Sequence, residues 1–182
     1  MSTTHAFEEE DKSINAFEQQ LALYRAKVYE MYMPLDRLDA QKTAVVDKRE
    51  SPIWVIEDKP DDWLLMRWAL RQTFPKTETV WLSDAVQVNT SVENYLSTKQ
   101  LLPKLILLDL YLPNVKKGLR VLQFLKAHKR FQSIPVITVS RSTDANDIAD
   151  AFKYASNLYL IKPPTYTEWV ARIGELRKFV CC

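Results

Sequence analysis

From residue 52 onwards, short apolar runs alternate along the chain with longer segments whose apolar positions recur at helical spacing. The apolar runs predict strands over residues 53–56, 77–82, 105–108, 135–139 and 158–161. The amphipathic segments predict helices over residues 63–74, 85–98, 118–129, 144–155 and 166–180. Because strands alternate with helices and the strand runs are apolar throughout, the pattern predicts a doubly wound α/β fold around a five-stranded parallel sheet.

The first part of the chain has a different pattern, and we divide the sequence into an N-terminal helical arm with its linker (residues 1–48) and a folded domain (residues 49–182). Residues 6–33 carry a narrow apolar seam typical of a helix that packs along another helix. Pro34 is expected to end or kink this helix. A homodimer and docking on the chain's own domain both explain the seam, with a slight preference for the dimer. The seam consists of Phe7, Ile14, Phe17, Leu21, Tyr24, Val28, Met31, Leu35 and Leu38.

Glycine is scarce, with only Gly118 and Gly174 in 182 residues. Phosphate-binding loops of the dinucleotide and P-loop types need several glycines close together, because only glycine lets the backbone amides approach a phosphate freely. These nucleotide-binding devices are therefore excluded. Any phosphate chemistry must use side chains and a metal ion.

The remaining composition excludes further classes. Two histidines and two terminal cysteines, Cys181 and Cys182, do not provide a zinc site at the usual spacings. The net charge of +2 arises from an acidic arm and a mildly basic body, a contrast too weak to indicate nucleic-acid binding. No signal peptide or membrane-length apolar run is present. We expect a cytoplasmic protein with neither nucleic acid nor membrane as a partner.

Polar residues follow four of the predicted strands: Glu57 and Asp58, then Asp109, Ser140 and Lys162. Ligands of open α/β sheets bind beyond the carboxyl ends of the strands, so these side chains are expected to meet. Three carboxylates that lie together need a cation, and oxygen ligands suit Mg²⁺. A carboxylate beside Mg²⁺ can attack phosphorus, while an ammonium and a hydroxyl hold the other phosphoryl oxygens. Each residue alone is better explained as a cap or a surface charge; the five together indicate a site.

Residues 52–180 resemble the receiver domains of two-component response regulators, which have the CheY-like, flavodoxin-like fold. The resemblance rests on the acidic opening at residues 55–62, the acceptor strand and loop at residues 107–113, the strand at residues 135–140 that ends in a hydroxyl, and the lysine-proline signature at residues 159–163. It is greatest for stand-alone receivers that serve phytochrome-type kinases.

The resemblance implies a role for each matching residue. Asp109 would be the phospho-acceptor, and Mg²⁺ would be bound by Glu57, Asp58, Asp109 and the backbone carbonyl of Tyr111. Lys162 would pair with Asp109 and then with the phosphoryl group.

The implied switch consists of Ser140, which would donate to a phosphoryl oxygen, and Tyr159, which would move with it. The family's cis peptide would be Lys162–Pro163. Arg141 departs from the family pattern, since the residue after the switch hydroxyl is usually small. It would be a gate of the pocket, and it either blocks phosphorylation or holds the phosphoryl group.

The implied function is a phosphorelay receiver that takes its phosphoryl group from a sensor histidine kinase or a phosphotransfer protein. It would not be an enzyme beyond this autocatalytic transfer. The chain ends at Cys182, so we expect signalling by protein–protein contact rather than through a DNA-binding domain. Dimerisation would use the N-terminal helix or the last-helix face. Trp169, in the last helix, occupies a core-like position, and the alternative is that it joins this face. The alternative is a pseudo-receiver, an interaction scaffold that is not phosphorylated, for which Arg141 is the main support.

Overall fold

The structure is a computed structural model that describes residues 50–98 and 100–180. It confirms the predicted α/β fold, with strands and helices alternating along the chain. The predicted N-terminal helix, its proposed part in dimerisation, and Cys181 and Cys182 lie outside the described residues.

The strands and helices lie close to their predicted positions. The strands are β1 (Ile53–Ile56), β2 (Thr79–Leu82), β3 (Leu105–Asp109), β4 (Val136–Ser140) and β5 (Leu158–Ile161). The helices are α1 (Pro60–Thr73), α2 (Ala85–Ser97), α3 (Val115–Ala127), α4 (Ala145–Lys153) and α5 (Tyr166–Glu175), followed by a 3-10 turn at Leu176–Phe179. None of the helices in the described parts of the chain is both long enough and apolar enough to cross a membrane.

Helix α1 begins at Pro60, three residues before its predicted start. Proline suits the first helical position, where its missing N–H would have no partner and its fixed φ matches the helix. Lys59 is the N-cap residue and makes no side-chain capping bond. The sequence predicts Asp61 or Asp62 as the cap of this helix, because aspartate is a favoured N-cap residue. This prediction is wrong, since both residues lie inside the first turn. For α2 the sequence predicts Asp84 as the cap, and this prediction is confirmed, since Asp84 accepts a hydrogen bond from the Gln87 amide.

The sheet has the strand order β2-β1-β3-β4-β5, and all pairs are parallel. From β1 the chain first adds β2 on one side and then returns to add β3 on the other. At such a change of direction the loops above β1 and β3 diverge and leave a crevice at the carboxyl edge of the sheet. The fold thereby places the ends of β1 and β3 where ligands bind in open α/β sheets.

Two apolar clusters cover the two faces of the sheet. The face that carries Ile53 and Val55 packs against α1 and α5, and the face that carries Trp54 and Ile56 packs against α2 and α3. Burial on both faces explains why β1 and β3 read as uninterrupted apolar runs. Trp169 is only 2% exposed and belongs to the first cluster, so it is a core residue and not part of an exposed dimerisation surface.

Gly118 lies in the first turn of α3, where a side chain would not fit. A Cβ atom at this position would collide with the backbone carbonyl oxygen of Leu110, in the loop that follows Asp109. The absence of a side chain therefore lets α3 lie against that loop. Gly174 differs, because a Cβ atom there would meet no atom within 4 Å.

The described residues contain one cis peptide bond, between Leu112 and Pro113. The predicted cis bond between Lys162 and Pro163 is therefore wrong. Both bonds precede a proline, the residue type before which the cis form costs little, so the sequence alone did not distinguish them.

Candidate functional site

Four of the predicted site residues meet at the carboxyl edge of the sheet, where the backbone hydrogen bonding holds them. The Glu57 amide donates to the Leu82 carbonyl at 3.0 Å, and the Lys162 amide donates to the Ser140 carbonyl at 2.7 Å. Asp109 and Ser140 are the last residues of β3 and β4. Glu57, Asp109, Ser140 and the Lys162 side chain are all buried. Their positions are thus fixed by the sheet and not by mobile loops.

Glu57, Asp58 and Asp109 form a cluster of carboxylates. Each offers one oxygen, and the three oxygens lie within 4.8 Å of one another. Asp109 Oδ1 accepts a hydrogen bond from the Tyr111 amide at 3.2 Å, whereas Asp109 Oδ2 and Asp58 Oδ1 are buried and accept none from the described residues. Buried carboxylate oxygens without a donor are costly, and a cation would satisfy them. The donor set, oxygen alone, is the one that Mg²⁺ prefers, so the residues present fit this ion.

Lys162 connects the carboxylates. Its Nζ lies 2.7 Å from Glu57 Oε2, 2.8 Å from Asp62 Oδ2 and 3.4 Å from Asp109 Oδ2. Burial acts against its charge, but the carboxylates of Asp109 and Glu57 more than compensate and raise the pKa of Lys162 above its ordinary value. The lysine is therefore a permanent cation, and its two shortest contacts are to carboxylates other than Asp109.

Asp62 belongs to the site although its sequence position suggested only a helix cap. Its side chain is 5% exposed, and its two oxygens accept hydrogen bonds from Lys162 Nζ at 2.8 Å and Arg141 Nη2 at 2.7 Å. Burial alone would raise the pKa of Asp62, but Lys162 and then Arg141 hold it below its ordinary value. The proline at position 60 was the available signal. It starts the helix there and so places Asp62 inside the first turn, at the carboxyl edge of the sheet.

The site carries an excess of negative charge. Four carboxylates and three basic side chains, those of Lys59, Arg141 and Lys162, leave one negative charge when all are ionised. Burial, reinforced by the charge of Asp109 and opposed by Lys162, raises the pKa of Glu57 to about 7. A divalent cation would offset this excess and oppose the charge of Asp109 on Glu57, which favours the ionised form of the Glu57 carboxyl.

The predicted switch residues, Ser140 and Tyr159, both contact Ser142 in the loop after β4. Ser140 Oγ accepts a hydrogen bond from the Ser142 amide at 3.1 Å. The Tyr159 hydroxyl donates to the Ser142 carbonyl at 3.0 Å. Burial raises the pKa of Tyr159, so its hydroxyl stays protonated as a donor. One loop residue thus connects the hydroxyl at the site to the aromatic side chain on β5.

A cavity of about 360 Å³ lies in front of Asp109. Its walls include three basic side chains, Lys59, Arg141 and Lys162, so it suits an anion. Tyr111 lies at its rim, 38% exposed, and its hydroxyl donates to Asp147 Oδ2 on α4 at 3.1 Å. The cavity leads to Asp109 from solvent, because Arg141 at its wall has a side chain that is 66% exposed.

Two tryptophans support the acidic edge from outside the cavity. The rings of Trp63 on α1 and Trp81 on β2 are stacked, with centroids 5.5 Å apart and planes inclined by 10°. Trp81 Nε1 also donates to the backbone carbonyl of Glu57 at 2.7 Å. The stack therefore fixes the backbone from which Glu57 extends.

Comparison with known proteins gives a consistent result. Residues 53–174 match the response regulator receiver domain. A probable methanogenesis regulatory protein, FilR2 of Methanothrix harundinacea, is 28% identical over 127 residues, covering 70% of this chain and 81% of that protein. The DNA-binding response regulator MtrA of Mycolicibacterium smegmatis is 29% identical over 73% of this chain, but the chain spans only 54% of that protein. The DNA-binding dual master transcriptional regulator RpaA of Synechocystis sp. is 33% identical over 51% of this chain, which spans only 38% of that protein.

Solved structures of response regulators are similar as well. The phosphorylated cyanobacterial phytochrome response regulator RcpA has a TM-score of 0.63 and 27% identity, over 72% of this chain and 94% of that chain. The Mn²⁺-bound form of response regulator Rcp1 has a TM-score of 0.59 and 25% identity, over 71% of this chain and 94% of that chain.

Proposed function

Because this chain belongs to the response regulator receiver domain family, we propose that it signals by accepting a phosphoryl group on Asp109. Receiver domains are phosphoryl acceptors and not enzymes in the ordinary sense. The observation that carries the assignment is the environment of Asp109, which is 2% exposed, has one oxygen without a hydrogen bond and faces a cavity with basic walls. The comparisons lend no support to the pseudo-receiver alternative, and RcpA is itself known in a phosphorylated form.

The proposed step is transfer from a phosphohistidine of a sensor kinase or a phosphotransfer protein. An Asp109 carboxylate oxygen attacks phosphorus, and an O–P bond forms while the P–N bond breaks. The electron pair of the broken bond returns to the imidazole nitrogen, which takes up a proton. Lys162, 3.4 Å from Asp109 Oδ2, balances the charge of the attacking carboxylate and then of the phosphoryl oxygens.

Glu57, Asp58 and Asp109, with the carbonyl of Tyr111, would hold Mg²⁺. When bound, the ion neutralises charge on the transferred group and its oxygens. The carboxylate cluster, in which two buried oxygens accept no hydrogen bond from the described residues, supports this assignment. Binding of Mn²⁺ by Rcp1 supports a divalent cation in this family of sites.

The phosphorylated state would be communicated through the β4–α4 loop. Ser140 would leave the Ser142 amide for a phosphoryl oxygen, which changes the loop that also holds the Tyr159 hydroxyl. The surface formed by α4, β5 and α5 would then change its contacts with a partner protein. Phe152 on α4 and Ile161 on β5 are 49% and 48% exposed and available for such contacts.

The N-terminal helix would make a homodimer, a proposal that rests on its apolar seam alone. Replacing Phe17 and Leu21 by glutamate in the full chain is expected to give a monomer in light scattering. A dimer that persists unchanged in this variant would contradict a role for the helix.

Acetyl phosphate with Mg²⁺ tests the phospho-acceptor directly, because the transferred group adds a defined mass to the intact protein. We expect the wild type to gain one phosphoryl group and Asp109→Asn to gain none. Asp84→Asn is the matched control, since asparagine caps α2 as well as aspartate does and the site is untouched. A wild type that stays unmodified at saturating donor would refute the proposal and favour a pseudo-receiver.

A further inference from the structure

One ion pair beside the phosphorylation site has no part in the mechanism above. Arg141 Nη2 donates to Asp62 Oδ1 at 2.7 Å and joins the loop after β4 to the first turn of α1. The two ends of the pair differ, since the Asp62 side chain is 5% exposed and that of Arg141 is 66% exposed. The carboxylate is therefore fixed in the protein, whereas the arginine extends through solvent to reach it.

Arg141 also lines the cavity in front of Asp109, together with Lys162. The side chain that contacts Asp62 thus borders the space that a phosphoryl group on Asp109 would occupy. A guanidinium group matches the oxygens of a phosphoryl group as well as those of a carboxylate. Lys162 shows the same competition, because its Nζ lies 2.8 Å from Asp62 but 3.4 Å from Asp109.

We infer that Asp62 is a placeholder anion for the phosphoryl group. It holds Arg141 and shares Lys162 while Asp109 is unmodified, and it releases Arg141 to the phosphoryl oxygens when Asp109 is modified. This inference rests on the proposed function and assigns two roles within it. Arg141 is a phosphoryl ligand and not a block, and Asp62 is a positioning residue that competes with the phosphoryl group for it.

The charges favour the exchange. A phosphoryl group carries up to about two negative charges at neutral pH, whereas Asp62 carries one, so the arginine gains by moving. Asp62 keeps its hydrogen bond from Lys162 when Arg141 leaves. The exchange therefore does not leave a buried carboxylate without a donor, which would be the main cost.

A double-mutant cycle on the full chain tests the exchange, with beryllofluoride as the phosphoryl mimic. Its dissociation constant is measured by calorimetry at saturating Mg²⁺ for wild type, Asp62→Asn, Arg141→Met and the double variant. Arg130→Met is the matched control, because it removes the same charge from an exposed arginine in the loop between α3 and β4, at the opposite edge of the sheet.

Competition predicts effects that are not independent. The charge of Arg141 is largely exposed, so its contribution to binding is modest. With Asp62 intact, Arg141→Met is therefore expected to weaken beryllofluoride binding by about threefold. With Asp62 replaced, the freed arginine makes a full charge-assisted contact, and its loss weakens binding by about tenfold. Asp62→Asn is then expected to tighten binding by about fivefold when residue 141 is arginine, but by less than about twofold when it is methionine. The difference between these two effects is the coupling between the residues, and it has the size usual for side chains in contact.

Three results would overturn the inference. Tighter or unchanged binding in Arg141→Met means that the arginine blocks the pocket or plays no part. Effects that multiply independently mean that Asp62 and Arg141 do not compete. Lower unfolding midpoints with unchanged dissociation constants mean that the ion pair is only structural. If Asp62→Asn does not fold, Asp62→Ser replaces it in the cycle, since serine still offers Lys162 an acceptor. A wild type that does not bind beryllofluoride refutes the proposed function itself and is distinct from these outcomes.

Discussion

Replacing Gly118 by alanine sets a steric collision against a gain in helix propensity. An alanine inside a helix stabilises it by about 1 kcal/mol relative to glycine. Against this, the new Cβ atom meets the Leu110 carbonyl oxygen. That oxygen cannot shift easily, because Leu110 is fully buried and its amide donates to the Val139 carbonyl at 3.1 Å. We take the upper part of the range for overpacking, about 3 kcal/mol, and expect a net loss of about 2 kcal/mol.

Gly174→Ala is the matched control, because it makes the same chemical change in a helix of the same domain without a collision. No atom lies within 4 Å of its added Cβ atom, so we expect a gain of about 0.5–1 kcal/mol. Urea unfolding of the full chain, followed by the helix signal in circular dichroism, measures both changes. A thermal scan is expected to show shifts of about 3 °C for each kcal/mol.

The result that would refute this reasoning is a Gly118→Ala protein as stable as Gly174→Ala. It would mean that the loop after Asp109 adapts at no cost, and that the close approach of α3 is not a constraint. A destabilised Gly118→Ala that also takes up acetyl phosphate more slowly would show that the collision displaces the loop beside the acceptor.

Other predictions concern the charges of the site. Lys162→Met is expected to lower the free energy of unfolding by about 3–5 kcal/mol without metal, because it leaves buried carboxylates without their shared donor; an unchanged urea midpoint would contradict this. In EDTA, the wild type is expected to lose stability as pH rises from about 4.5 to about 7, because folded Glu57 keeps a proton that the unfolded chain has released. Glu57→Gln should remove this slope, and a slope that persists would assign it elsewhere. Asp58→Asn is expected to weaken Mg²⁺ binding, measured by calorimetry, by at least about tenfold. Loss of a residue that only hydrogen-bonds a metal ligand already lowers metal affinity by about that factor, and Asp58 would contact the ion directly. At a fixed Mg²⁺ concentration the ion should then raise the unfolding midpoint of this variant by less than that of the wild type, whereas an undiminished rise would exclude Asp58 as a ligand.

The sequence was sufficient for the fold because each level of pattern agreed with the next. The runs at β1 and β3 are buried on both faces, so their composition alone identifies them as central parallel strands. The positions of Glu57, Asp109, Ser140 and Lys162 follow from the same register, since parallel strands end at one edge. Those residues were therefore predictable as a group before any contact was known.

The contacts of Asp62 and Arg141 were not predictable in the same way. Asp62 lies in a helix, 79 positions from Arg141, and its direction depends on where α1 begins and how it packs. Whether Asp62 caps the helix or forms an ion pair depends on the residue at which α1 begins, and Pro60 sets that residue. Helix starts are defined by the sequence only to within a few residues. Trp169 shows the same limit, since a position on the last helix does not by itself tell the core from a surface.

The stacked indoles of Trp63 and Trp81 make the acidic edge optically visible. Electronic transitions of two rings 5.5 Å apart couple, and the resulting circular dichroism depends on their mutual orientation. Trp81 Nε1 also donates a hydrogen bond to the Glu57 carbonyl, so a shift of that carbonyl is expected to change the angle between the two rings. We therefore expect occupancy of the edge to change the coupled signal of the two indoles, which circular dichroism can follow in unlabelled protein.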